Sequence, residues 1–223
     1  MKFFLFLGML LIQQAVAAEL VTLPVPPNVT PEIIAEDFRF NGSPMQIVQF
    51  IALDADEVTR FYRRFFSEKA RDGKYSEQKL GKTKQIGALM DKTLVNVEFM
   101  PEGKKTTRIL VSSLDPDKMQ APEKLAKDIP RLPGSTVTQH QESRDGQKKN
   151  RMVFITNRHS VEGNAMYLRE QYQRLGWSRL GDHTVKTSQQ RQLMFGKANK
   201  HLLVDVQRMD INTTMVIYSE MEE

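Results

Sequence analysis

Four histidines, His140, His159, His183 and His201, carry the side chains best suited to metal ligation or proton transfer, and no two stand at the i, i+4 spacing of a helical zinc motif. Each reads as a surface histidine, His183 and His201 being the pair that a shared sheet would bring closest. Asp54, Asp56 and Glu57 have carboxylates fit for general acid and base work. They open an amphipathic pattern, however, where the positive end of a helix dipole already accounts for them. Ser135, in Pro133-Gly134-Ser135-Thr136, lacks the second glycine of a G-x-S-x-G elbow and reads as a turn residue. No P-loop or dinucleotide-binding glycine fingerprint occurs. Cysteine is absent, which removes disulfides, thiolate metal sites, iron–sulfur clusters, cysteine nucleophiles and a lipobox acyl anchor. The residues point to no catalytic constellation, no metal site and no cofactor, and the expectation is a protein that is not an enzyme.

Binding chemistry is better represented. Lys79, Lys82 and Lys84 follow the first amphipathic segment, and Arg144, Lys148, Lys149 and Arg151 cluster around a later turn. These seven are the candidate anion-binding residues, for lipid phosphate, lipopolysaccharide or a wall polymer. Acidic residues are interspersed and the net charge is only +5, so a solvated face competes with that reading. Nothing resembles a base-stacking motif, and nucleic acid is not expected as a partner. The twelve methionines include Met90, Met100, Met194, Met209, Met215 and Met221 in or beside alternating segments. Methionine fills irregular cores and adaptable partner surfaces alike, so exposed sheet positions would favour a partner.

The elements that must position these residues follow from periodicity. Asp54 to Glu57 precede Val58, Phe61, Tyr62, Phe65 and Phe66, spaced i, i+3, i+4, i+7, i+8 as on one helix face. Ser160 caps a second pattern, Val161, Ala165, Leu168, Tyr172 and Leu175, closed by Gly176 before Trp177. Alternating, β-branched segments follow each helix: 94–99 and 106–111 in the first case, 202–206 and 213–218 in the second. A strand precedes each helix, at 45–53 and 151–156, and a further one at 136–142 joins the latter through Arg144-Asp145-Gly146.

The opening residues have the parts of a secretory signal: Met1-Lys2, an apolar stretch from Phe3 to Ile12, and Ala15-Val16-Ala17-Ala18 as a small-residue cleavage site. That stretch is short against the roughly 20 residues needed to span a bilayer, and no later run is long enough. An exported, cysteine-free chain fits a bacterial periplasm or a secreted product. The expected layout is a signal peptide at 1–18, a proline-rich extended arm at 19–34, a first unit at 35–113, a linker at 114–128 and a second unit at 129–223. The arm, with Pro24, Pro26, Pro27 and Pro31, serves as a linker or as a docking strand for another protein.

The stretch Ile129-Pro130-Arg131-Leu132-Pro133-Gly134-Ser135, the hairpin, Ser160-Val161, Tyr167-Leu168-Arg169 and Leu175-Gly176-Trp177 together resemble a widespread set of uncharacterised exported bacterial domains. Those domains pair a proline-glycine lead-in with an E-x-V-x-x-F-Y-R helix often closed by Gly-Trp, then antiparallel strands. Glu57-Val58-Thr59-Arg60-Phe61-Tyr62-Arg63 supplies the helix pattern in the first unit, which has Ala70-Arg71 where Gly-Trp would stand. The resemblance implies a fold and carries no catalytic residues. The expected fold class is α+β, two similar units in tandem, each one helix on an antiparallel sheet of about four strands. The expected function is a non-enzymatic envelope module that binds or assembles with another protein, accessory to a secretion or surface-appendage system. Binding of an anionic envelope ligand through the seven basic residues, and an enzyme whose site forms only in the fold, are the alternatives.

Overall fold

A computed structural model describes residues 23–27, 29–34, 37–102, 105–185 and 189–223. The signal and cleavage segments lie outside the described residues. In chain order the elements are β1 (Glu32–Ile33), β2 (Asp37–Phe40), β3 (Ser43–Ala52), α1 (Ala55–Lys69), β4 (Ser76–Leu80), β5 (Thr83–Met90), β6 (Thr93–Glu102) and β7 (Thr106–Leu114). Then come α2 (Pro122–Leu125), β8 (Thr136–Asp145), β9 (Lys148–Asn157), α3 (Val161–Arg174), β10 (Ser178–Thr184), β11 (Gln190–Lys197), β12 (Lys200–Arg208) and β13 (Thr214–Glu222).

The thirteen strands of the described residues belong to one sheet, ordered β10-β11-β12-β13-β9-β8-β2-β3-β7-β6-β5-β4, with β1 against β3. The expectation of two separate helix-on-sheet units with about four strands each is therefore wrong. The error has a physical source in β2. Asn41 and Gly42, with φ of 48° and 79°, make a tight turn that folds β2 back on β3. The free edge of β2 then pairs with β8, from Asp37 opposite Arg144 to Phe40 opposite Gln141. Two edges that would each be open are closed on one another, and the sheet runs through without a break.

That joint is reinforced. The Asn41 N–H donates to the His140 carbonyl at 2.7 Å, and the His140 N–H donates to Asn41 Oδ1 at 2.8 Å. The connecting segment after β7 is packed rather than loose: Gln120 N–H reaches the Asn41 carbonyl, Ser43 Oγ reaches the Asp115 carbonyl, and Ala126 is fully buried.

Helix α1 begins where Asp54 Oδ1 accepts from the N–H groups of Asp56 and Glu57 at 2.9 and 3.0 Å, a side-chain cap for otherwise orphaned donors. It buries Val58, Tyr62 and Phe66. Helix α3 begins where Ser160 Oγ accepts from Gly163 N–H at 3.0 Å, and it buries Val161, Ala165, Leu168 and Tyr172. Gly176 turns the chain out at φ 78°, which lets Trp177 N–H bond the Tyr172 carbonyl.

Each helix covers its own core, Ile86, Val97 and Ile109 among the residues under α1, Val153, Val204 and Val216 among those under α3. Proline segments close both cores. Tyr62 Oη donates to the Pro24 carbonyl at 2.7 Å beside buried Leu23, and Tyr218 Oη donates to the Pro130 carbonyl at 2.7 Å beside buried Ile129. The described part of the proline arm thus packs on its own chain.

Candidate functional site

Side chains alternate between the faces of a strand, so pairing register assigns every residue to a face. Phe50, opposite Ile109, and Val48, opposite Val111, lie on the face that carries α1. Counting back along β3 and across β2 puts Arg39, Glu142, Arg151 and Val153 on that same face, and Val153 lies in the core under α3. Both helices therefore cover one face of the sheet. No helix of the described residues covers the other.

The uncovered face is the candidate site, because the central strands are apolar on it as well. Consecutive residues face opposite sides, yet both members of Val153/Phe154, Val216/Ile217, Ile109/Leu110 and Val48/Ile47 are apolar. Such unbroken runs are the pattern of strands covered on both faces, whereas a sheet with one wet face alternates apolar and polar. Near the β2–β8 joint the face presents Phe38, Phe40, Met45, Ile47, Met152 and Phe154, all half-buried by one another. Further out, Ile51 is 52% exposed and Met221 41% exposed.

Six of the twelve methionines, Met45, Met100, Met152, Met194, Met215 and Met221, fall on this face. Met90 lies opposite, against the core under α1. Between the apolar residues stand uncharged ones, such as Gln49, Asn96, Ser112, Gln141 and Ser219. Most of the charges that the strands place here are answered in place: Arg108 pairs with Glu102, Glu32 accepts from Gln49, and Asp205 accepts from Gln190, while Glu98 on β6 meets no cation among the described residues. Asp145 and Lys148 sit at the tip of the β8–β9 hairpin.

The helix-bearing face takes the opposite character. A cavity of about 340 Å³ opens between the halves of the sheet, lined by Arg39, Arg144, Lys149, Arg151 and Lys200 together with Asp37, Glu142, Glu220 and Glu222. Three of the seven basic residues expected from sequence, Arg144, Lys149 and Arg151, meet here. They meet as many carboxylates as would cancel most of their charge. Arg151 is committed to Asp128 through two bonds of 2.6 and 2.7 Å, which hold the Asp128 carboxyl below its ordinary value. Lys148 faces the other side, 4.0 Å from Glu223.

Lys79, Lys82 and Lys84 stand elsewhere, on β4, its turn and β5. Five strand steps separate β5 from β8, about 24 Å at ordinary spacing, so the two basic groups form no common surface. Lys84 is held by Glu77 at 3.4 Å and lies over the Phe99 ring, and the Arg63 hydrogen bond to Glu77 draws that carboxyl below its usual value.

His140 is the titratable group that sequence reading undervalued. It is 2% exposed rather than on the surface, and Nε2 accepts from Arg151 Nε at 3.0 Å, leaving Nδ1 without a partner among the described residues. Burial first, then Arg151, lowers its pKa and favours the neutral ring. His183 and His201 lie on β10 and β12, separated by β11 and by several residues of register. No cluster of three metal-ligating side chains occurs among the described residues.

The uncovered face was written in the sequence as paired apolar residues, Met152-Val153-Phe154-Ile155 and Met215-Val216-Ile217-Tyr218. A strict period-two reading passes over that signal. No helix among the described residues is long and apolar enough to cross a membrane. The chain matches no family model, and no curated protein or solved structure is significantly similar to it.

Proposed function

We propose that the protein is a non-enzymatic binding or assembly module of the bacterial envelope, exported by its leader, and that it engages a protein partner through the helix-free face of its sheet. One observation carries this reading: central strands apolar on both faces, with only one face covered by a helix among the described residues. A methionine-rich sheet surface that is nearly free of charge over its central strands is costly to leave in water and adapts to a packed partner. The charged cavity on the other face favours a polyanion less, since its cations are already matched by carboxylates.

The test is a cross-linking pull-down of the exported protein from its native envelope, washed at low and at high salt. Apolar contact predicts a stoichiometric protein that survives high salt. Recovery of polyanions alone, released by salt, would sink the proposal.

A further inference from the structure

Resting on that reading, we infer that the first occupant of the helix-free face is a second copy of this chain, packed sheet to sheet about a two-fold axis near the β2–β8 joint.

The succession strand, strand, helix, four strands occurs twice along the sheet, and the sheet order of the second run mirrors the first about β2–β8. Corresponding strands put like residues on the uncovered face. β7 presents Leu110, Ser112 and Leu114, and β13 presents Ile217, Ser219 and Met221. In the same register β6 presents Asn96 and Glu98 where β12 presents Leu203 and Asp205. A two-fold contact brings the same patch of both partners together, and each half of this patch offers apolar and small uncharged groups to either half of the other.

Charge permits the contact. Like copies repel through shared net charge, but Arg39, Arg144, Lys149, Arg151 and Lys200 all lie on the helix-bearing side, and among the described residues β7, β3, β2, β8, β9 and β13 put charge on the uncovered face only at Arg108, paired with Glu102, and at Asp145 and Lys148 on the hairpin tip. Area suffices too. The six strands from β7 to β13 across the joint span about 29 Å, and strands of nine or ten residues run about 30 Å, giving roughly 750 Å² in plan after allowing for the short β2. A stable interface needs about 800 Å² of accessible surface per partner, and a corrugated face buries more than its plan area. Two antiparallel sheets meet in this way at about 10 Å separation.

The experiment is sedimentation equilibrium of the protein recovered from the envelope, from about 1 to about 100 µM, beside two variants. Wild type should show twice the chain mass. Met152→Glu with Ile217→Glu should weaken association about 100-fold, by leaving charge in a dry contact. Arg144→Glu with Lys149→Glu, on the opposite face, should leave it unchanged. A second measurement does not depend on disruptive variants. The chain has no cysteine, so Ser143→Cys on the uncovered face gives one addressable thiol. A bis-maleimide of about 10 Å reach should join two Ser143→Cys chains and fail to join two Glu142→Cys chains, whose thiol lies on the other face. A wild-type monomer at every concentration, or a dimer indifferent to Met152→Glu with Ile217→Glu, overturns the inference. If wild type is monomeric and those same substitutions abolish capture of an envelope protein, the dimer is wrong and the binding module stands. If capture also survives them, both are wrong.

Discussion

Two tyrosine hydroxyls anchor the proline segments that close the cores. Each donates to a proline carbonyl, Tyr62 to Pro24 and Tyr218 to Pro130, and each lies at the boundary between core and covering segment. Burial raises the pKa of both phenols far above ordinary tyrosine, so both remain donors at any working pH. Tyr62→Phe and Tyr218→Phe should each cost about 1 kcal/mol in urea denaturation, the worth of one such bond with its acceptor left dry. His140 gives the pH response. Its folded pKa lies below the unfolded value of 6.5, so the unfolded chain takes up the proton first. Stability is full above about pH 6.5 and falls as pH drops toward the folded value. Protonation would also turn Nε2 from acceptor to donor against Arg151, with Glu142 at 3.8 Å and Asp128 beyond Arg151 as the nearby carboxylates. The urea midpoint should fall between pH 7.5 and 5.5 in wild type and change less in His140→Gln.

Both long helices are specified locally, and their caps are the part of the fold most easily tested. Asp54→Ala and Ser160→Ala each remove an acceptor for N-terminal N–H groups and should cost about 1 kcal/mol, read as a lower melting temperature. Those caps, the apolar helix faces and the Gly176 stop were legible in the sequence because they depend on neighbours a few residues apart. β4 and β10 were not. Ser76 to Leu80 is exposed along its whole length, and Ser178 to Thr184 is polar with a bulge between Arg179 and Gly181, so neither carries an apolar alternation. Both are outer strands of the sheet, held by pairing on one side. β2 is four residues long and offered only the Asn41-Gly42 turn as a signal. Missing β2 meant missing the joint, and with it the continuity of the sheet. The same distance in sequence hid the cavity between the halves, whose lining runs from Asp37 to Glu222. The seven basic residues were visible by type, but neither their separation nor their carboxylate partners could be read from spacing.

At the scale of the molecule, two cores share one sheet and meet across four residue pairs of β2 and β8. Asn41, buried and at positive φ, supplies the side-chain bond that locks this joint to His140. Asn41→Ala loses that bond and strains the turn, and should cost about 2 kcal/mol. Trp177, the single tryptophan, reports only on the core under α3, where it packs against Tyr172. Wild type should unfold with coincident tryptophan fluorescence and far-UV circular dichroism, and Asn41→Ala should separate the two. The same continuity gives the uncovered face its extent, since two separate small sheets would each offer too little area for a stable contact.

Partner capture through that face is tested most directly by repeating the high-salt envelope pull-down with two charge-placement variants of equal thermal stability. Phe154→Glu with Ile217→Glu, on the helix-free side, should abolish capture, while Arg144→Glu with Lys149→Glu, on the helix-bearing side, should leave it intact. Capture that survives the first pair and fails with the second would contradict the assignment and move the binding site to the charged cavity between the halves.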